Sequence, residues 1–377
     1  MPTCDVAVVG LGAVGSAALF ELAKRGRRVI GIDQFEPGHD RGSSHGESRL
    51  IRVAYFEDPA YVPLVRLAYE RWRALEARTG QRVLTTTGIV EAGVAGSSIV
   101  AASLRSSLEH GIVHEVLTAR QVAARHPAFR LPSDWDCVFQ PDAGILQPEK
   151  AIGLFLAQAA KLGAVVRPNT RVVDVQPSGA GVRIRLDGGD VIEAGSAILA
   201  AGPWVGELAP MLKPHLSLTR QVLAWFGPLQ PGLVGPDRMP VFLLHTPDDV
   251  IYGVPDFLGT GVKAGSHEPS GFLLDADAPR SAVTPADVER IARPLGAYIP
   301  AAAGPLRRAS TCVYTKTPDD HFVVGLHPDS PQIVLASPCS GHGFKFASIL
   351  GEVLADLAMT GGTTVPIGLF SPTRFAD

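Results

Sequence analysis

The chain holds 377 residues, 46% of them hydrophobic, with a formal net charge of -3 at pH 7 and four cysteines. That length exceeds what one hydrophobic core usually organises, so two domains are expected, and the interspersed charge of both signs excludes a basic stripe for nucleic acid. No apolar run is long enough to cross a bilayer, no signal segment is expected before the first strand, and Cys4, Cys137, Cys312 and Cys339 lack C-x-x-C or metal-ligand spacing. The expectation is a cytoplasmic protein without zinc, disulfides, membrane anchor or nucleic-acid partner.

The stretch 5–33 reads as a β–turn–α–β unit for a dinucleotide. Val6-Ala7-Val8-Val9 is a short apolar run suited to a buried parallel strand, and Gly10-Leu11-Gly12-Ala13-Val14-Gly15 follows it with G-x-G-x-x-G spacing. Gly10 permits the tight turn, Gly12 lets the backbone approach a pyrophosphate, and Gly15 lets the next helix, 13–24, pack on the strand. Amides and dipole at the start of that helix, at Ala13 and Val14, would hold the phosphates. The second strand, 28–32, ends in Asp33, placed for the ribose hydroxyls; an acid there favours a free 2′-hydroxyl. A glycine triplet alone is weak evidence, but this one stands between a strand and a helix with the acid at the expected distance.

A polar loop, 34–49, follows and includes Gly42-Ser43-Ser44-His45-Gly46; loops of this length and polarity are usually functional or disordered. Leu64, Leu67, Ala68 and Leu75 predict a helix over 61–78, closed by Gly80. From Val83 the pattern changes to short alternating segments, 83–94 and 113–117, with a capped helix over 118–126 ended by Pro127. Next come a helix over 148–162, strands at 165–167, 172–175, 182–186 and 191–193, and a buried strand from 196 into a turn at Gly202. A second excursion, from 216 to about 305, carries strands near 221–226, 241–245 and 250–254 and a helix opened by Thr284-Pro285-Ala286-Asp287. The chain returns through Cys312 and a strand at 333–336 to Ser340-Gly341-His342-Gly343-Phe344-Lys345 and a helix over 346–359. Arg49 and Arg52, three apart, could face the same way on a turn or helix start.

In this order, the N-terminal glycine motif with Asp33, the 42–46 loop running into Arg49 and Arg52, Ala201-Gly202-Pro203-Trp204, Cys312-Val313-Tyr314-Thr315 and Ser340 to Lys345 resemble the monomeric sarcosine oxidase and N-methyltryptophan oxidase family of amine-oxidising flavoproteins. The likeness spans nearly the whole chain. It implies α/β plus α+β architecture: a Rossmann-like FAD-binding domain (1–82, 145–215 and 306–377) and a discontinuous, mainly antiparallel-sheet substrate domain (83–144 and 216–305). No feature argues for an obligate dimer, and a monomer is expected.

The resemblance also implies roles. Gly10, Gly12, Ala13, Val14, Gly15, Asp33, Ser43, Ser44, Arg49, Val172, Gly202, Trp204, Gly341, Gly343, Phe344 and Lys345 would contact FAD, and Cys312 would join it by a thioether, nearby cations favouring the ionised sulfur. Arg52, whose planar fork suits a carboxylate, and Lys345 would hold the substrate's carboxylate. Lys263 would face the place where O2 reacts, a fixed cation stabilising the developing superoxide. His267, Tyr252 and Tyr314 would line the substrate cavity, with His342 beside them. The implied reaction passes a hydride from a secondary-amine amino acid such as sarcosine to the flavin, hydrolyses the imine and reduces O2 to hydrogen peroxide. A cyclic imino acid of the proline or pipecolate type is the alternative substrate, and a flavin dehydrogenase delivering electrons to a partner protein the alternative enzyme. A methyltransferase would also begin with a glycine-rich turn, but has no use for the Cys312 segment.

Overall fold

The computed structural model of the chain describes residues 3–375. A parallel sheet forms one half of the molecule, its strands ordered Val165–Arg167, Val29–Ile32, Cys4–Val9, Val191–Leu199 and Ser330–Ser337. Strands covered on both faces read as unbroken apolar runs, which is why 6–9 and 196–199 were legible as such. One face carries the helix Ala13–Lys24, packed between Pro148–Lys161 and Ala347–Thr360. The last of these approaches closely because Gly351 has no side chain: a Cβ there would stand 2.7 Å from the backbone of Ala17. An antiparallel hairpin, Val172–Ser178 and Gly181–Leu186, extends the sheet from the first half of Val191–Leu199. That strand is continuous where two short ones, 191–193 and 196–202, were expected.

The second half is a nine-stranded sheet, antiparallel except where Val241–His245 runs beside Ile89–Gly93. Its strands come from both excursions. Leu306–Lys316 belongs to it as well, pairing along Ser217–Phe226 with Cys312 opposite Gln221. The chain therefore re-enters the parallel sheet after Lys316, not from 306. A third, three-stranded sheet joins Arg49–Arg52, Ala143–Leu146 and Leu84–Thr86 and stands between the other two in sequence. Here the structure corrects the sequence reading: Arg49 to Arg52 is a strand, not a turn or helix start. Residues three apart on a strand point to opposite faces, so the two arginines diverge.

Among the described residues no helix is long and apolar enough to cross a membrane, no cluster of His, Cys, Asp and Glu could hold a metal ion, and the four cysteines are free.

Candidate active site

A cleft runs between the two large sheets, and its walls take in both ends of the chain. At one end is the glycine turn. Gly10 has φ +92°, and a Cβ on it would meet Ala200 O at 2.4 Å, so this position admits glycine alone. Gly12 opens onto the cleft, with only Ser44 Oγ within 4 Å of a Cβ placed there. Gly15 does not line the cleft; its Cβ would fall 1.8 Å from Gly10 O, so it seats the helix against the turn. Asp33, at the end of its strand, accepts the Leu11 amide at 2.7 Å and the Phe35 amide at 2.9 Å, which fixes its carboxylate at the cleft wall. Val172, Gly202 and Trp204 line the same end, where Trp204 Nε1 donates to Asp277 at 2.7 Å.

The 42–48 loop closes over the middle of the cleft and is pinned from four sides. Ser43 donates to Val313 O at 2.6 Å, Ser44 Oγ accepts the Ala13 amide at 3.3 Å, and the Gly46 and Glu47 amides donate to Glu149. The fourth tie is Lys263, 4% exposed, whose Nζ donates to Gly46 O and Ser48 O, both at 2.8 Å, and to Ser48 Oγ at 3.2 Å. Burial and the neighbouring Arg49 push the Lys263 pKa well below its ordinary value, while three acceptors around one amine favour its ammonium form. Arg49 donates to Ser43 O at 2.6 Å and lies 4.0 Å from Cys312 Sγ. Burial pushes the Cys312 pKa up, and Arg49, then Lys263 and Arg280, pull it back only in part. Tyr314, two residues on, faces the same cavity, its hydroxyl 3.2 Å from that of Tyr252.

The far end of the cleft is a charged cage. Arg52, 3% exposed, donates to Glu57 at 2.7 Å and lies between the rings of Tyr55 and Phe56, 4.5 and 4.4 Å from their centroids. Lys345 Nζ donates to Tyr55 Oη at 3.0 Å and to His342 O at 3.1 Å, and its carbonyl accepts Trp72 Nε1 at 2.8 Å. His342 Nε2 lies 3.1 Å from Asp320 O, an acceptor only, so the proton sits on Nε2 and Nδ1 accepts from Tyr55 at 3.0 Å. Burial pushes the Lys345 pKa down to about 7, with Arg52 adding to the fall, and the His342 pKa down to about 4. Glu57 goes the other way: burial would raise it, but Arg52, His342 and Lys345 hold it at about 2. His267 also lines the cage, and burial lowers its pKa.

Every candidate residue named from the sequence apart from Gly15 thus lies on one cleft. Gly341, with φ +84°, lies against the Tyr314 ring, and Gly343 is forced by Pro338 O, 1.6 Å from where a Cβ would be. The segment Gly341 to Gly343 leads into a 3-10 turn, Phe344–Phe346, before the α-helix begins at Ala347. Glu57, Tyr55, Phe56 and the half-buried Cys339 were not assigned from sequence. Cys339 Sγ accepts the Thr315 amide at 3.3 Å beside the Ser43 hydroxyl. No local pattern marks these residues; only the fold brings them to Arg52 and Cys312.

The site fits FAD on its own terms: an open glycine at a helix start for the phosphates, an amide-held carboxylate for a ribose, and a thiol flanked by two cations further along. Comparison with known proteins agrees. The monomeric sarcosine oxidase of Streptomyces avermitilis is 38% identical over 380 residues, covering 100% of this chain and 98% of that protein. The N-methyl-L-tryptophan oxidase of Yersinia pestis (strain Pestoides F) is 31% identical over 374 residues, covering 98% and 99%. The solved structure of NikD, an unusual amino acid oxidase essential for nikkomycin biosynthesis, has the same fold, with a TM-score of 0.86 at 24% identity over 99% of this chain and 98% of that one. Residues 5–357 match the family of FAD dependent oxidoreductases, and the chain belongs to that family.

Proposed function

We propose that the protein oxidises amino acids whose nitrogen is a secondary amine, N-methyl amino acids such as sarcosine first among them, and acts as a monomer. The observation that carries this reading is the placement of two buried cations, Arg52 and Lys345, either side of Tyr55 at the end of a cleft that begins at the dinucleotide turn. FAD, which Cys312 would hold by a thioether and the Gly10 to Val14 turn by its phosphates, would supply the two-electron oxidation of the substrate and the return of those electrons to O2 as hydrogen peroxide.

The chain's own residues do the rest. Arg52 and Lys345 take the substrate carboxylate, Arg52 exchanging Glu57 for it. That fixes where the nitrogen lies, between Tyr252, Tyr314 and His267. Burial raises the pKa of both phenols and lowers that of His267, so none of the three carries charge at neutral pH. A wall of uncharged groups favours the free amine, whose lone pair is needed for oxidation, over the ammonium. Lys263 and Arg49 place positive charge where negative charge develops as O2 is reduced.

The test is product analysis. Sarcosine should yield formaldehyde and hydrogen peroxide in equal amounts, with oxygen consumed. Reduction of an artificial dye without peroxide would make the protein a dehydrogenase; turnover of proline but of no N-methyl amino acid would move the substrate to the cyclic imino acids.

A further inference from the structure

Beside Arg52, outside the cleft wall, lies a cluster the chemistry above does not use. Glu91, in the middle of the strand Ile89–Gly93, has no solvent exposure. Its Oε2 accepts from Ser103 Oγ and, at 3.0 Å, from Gln140 Nε2. Its Oε1 has no hydrogen-bond partner among the described residues and faces Arg52 Nε at 3.5 Å. The orientation of Gln140 is fixed, because its Oε1 accepts the Ala54 amide at 3.0 Å and an amide N–H can only donate. Ala54 O in turn accepts from Arg52 Nη1. Glu91, Gln140, Ala54 and Arg52 therefore close a ring. Burial raises the Glu91 pKa and Glu57 adds to the rise, against the pull of Arg52 and of the Ser103 and Gln140 donors; the geometry favours the carboxylate, since the side chains bonded to it are all donors and a guanidinium faces its other oxygen. A buried ion pair is a poor source of stability, so its presence calls for another reason.

We propose that Glu91 is the positioning residue for Arg52: a fixed carboxylate that keeps the guanidinium aimed into the cleft while the substrate's carboxylate replaces Glu57. This deepens, and rests on, the reading of Arg52 as the carboxylate-binding group. The two acids differ in their mounting. Glu57 lies on irregular chain between the strand Arg49–Arg52 and the helix Tyr61–Thr79 and lines the cleft. Glu91 sits in a sheet and is held by two donors. An incoming carboxylate displaces the acid that can move and leaves the other as the anchor of the Nε side. The rings of Tyr55 and Phe56 confine the guanidinium's faces but not its rotation in plane.

Holoenzyme titrated with propionate, followed by flavin absorbance, reads the effect directly. In Glu91→Gln one oxygen replaces two, so an amide N–H must oppose either the guanidinium or the Ser103 and Gln140 donors. Positioning predicts that the propionate Kd and the substrate KM rise about tenfold or more, with kcat at saturation nearly unchanged. A Glu91 that merely neutralised charge would give the opposite sign, since removing a negative charge attracts an anion; unchanged or tighter binding overturns the proposal. Ser103→Ala alters no charge and removes one of the two donors on Glu91 Oε2, leaving Gln140 Nε2. It should weaken propionate several-fold, and no change there also overturns the proposal. An N-methyl alkylamine without a carboxylate should be oxidised alike by parent and variants, and an equal loss on it would mark a general packing defect and refute a specific role. Arg52→Gln separates the two levels. If it too leaves propionate binding intact, the carboxylate reading fails; if it abolishes binding while Glu91→Gln and Ser103→Ala do not weaken it, only the positioning role falls.

Discussion

Carboxylate binding should weaken as pH rises through neutrality, because Lys345 loses its proton there. Burial, then Arg52, bring its pKa from 10.5 to about 7, against the opposing pull of Glu57 and Glu91. Charging this amine in the folded protein is thus roughly 5 kcal/mol harder than in water. An anion about 4 Å away returns about 4 kcal/mol at an effective dielectric constant of about 20. A bound carboxylate should therefore lift the pKa most of the way back. The sign follows: below about pH 7 the amine is charged with or without ligand and affinity is flat, whereas above it binding must take up a proton and Kd rises about tenfold per pH unit. Propionate suits the assay because it has no amine of its own to titrate; flavin absorbance would report its Kd between about pH 6 and 9. Lys345→Met should bind weakly at every pH and lose the slope. A native Kd constant across that range, or the same slope in Lys345→Met, would refute the reasoning.

Other outcomes test the remaining parts of the site. Acid precipitation of the native protein should carry flavin colour into the pellet, and Cys312→Ser should leave it in the supernatant; colour in the pellet of that variant would move the attachment elsewhere, Cys339 being the next thiol in the cleft. Lys263→Met should slow reaction of the reduced enzyme with O2 by about a hundredfold or more while reduction by substrate changes far less, and stopped-flow traces showing equal slowing would remove Lys263 from the oxygen site. Glu57→Gln takes away the acid that occupies Arg52 and should tighten propionate about tenfold at a pH low enough to keep Lys345 charged. Weaker binding in that variant would mean that Glu57 organises Arg52 and does not compete for it.

The legible parts of this fold were those with a local cause. The Gly10 to Gly15 turn, the helix caps at Thr118 and Thr284, and the apolar runs of the parallel strands each follow from a few adjacent residues, and each is present. What escaped depended on distant partners. Arg49–Arg52 is extended because Ala143–Leu146 pairs with it, and no neighbour in sequence announces that. The helix Ser98–Glu109 lacks an apolar stripe because its inward residues include Ser103, Ser106 and Ser107, whose hydroxyls serve Glu91, the Tyr55 amide and the helix backbone. A polar inner face leaves no hydrophobic period to read. The role given to Cys312 came from the resemblance and not from spacing, and the fold adds that burial raises the pKa of this thiol while Arg49, Lys263 and Arg280 lower it.

Cys312 lies on the nine-stranded sheet, while the glycine turn belongs to the parallel one. A cofactor gripped by amides on one side and bonded to sulfur on the other would act as a rivet through the two slabs. Prising them apart would not let it diffuse away, since its tether would keep it at high local concentration for recapture. Heat should then loosen both slabs in one event in the riveted enzyme, and in two, with the colour lost at the first, once the sulfur is replaced.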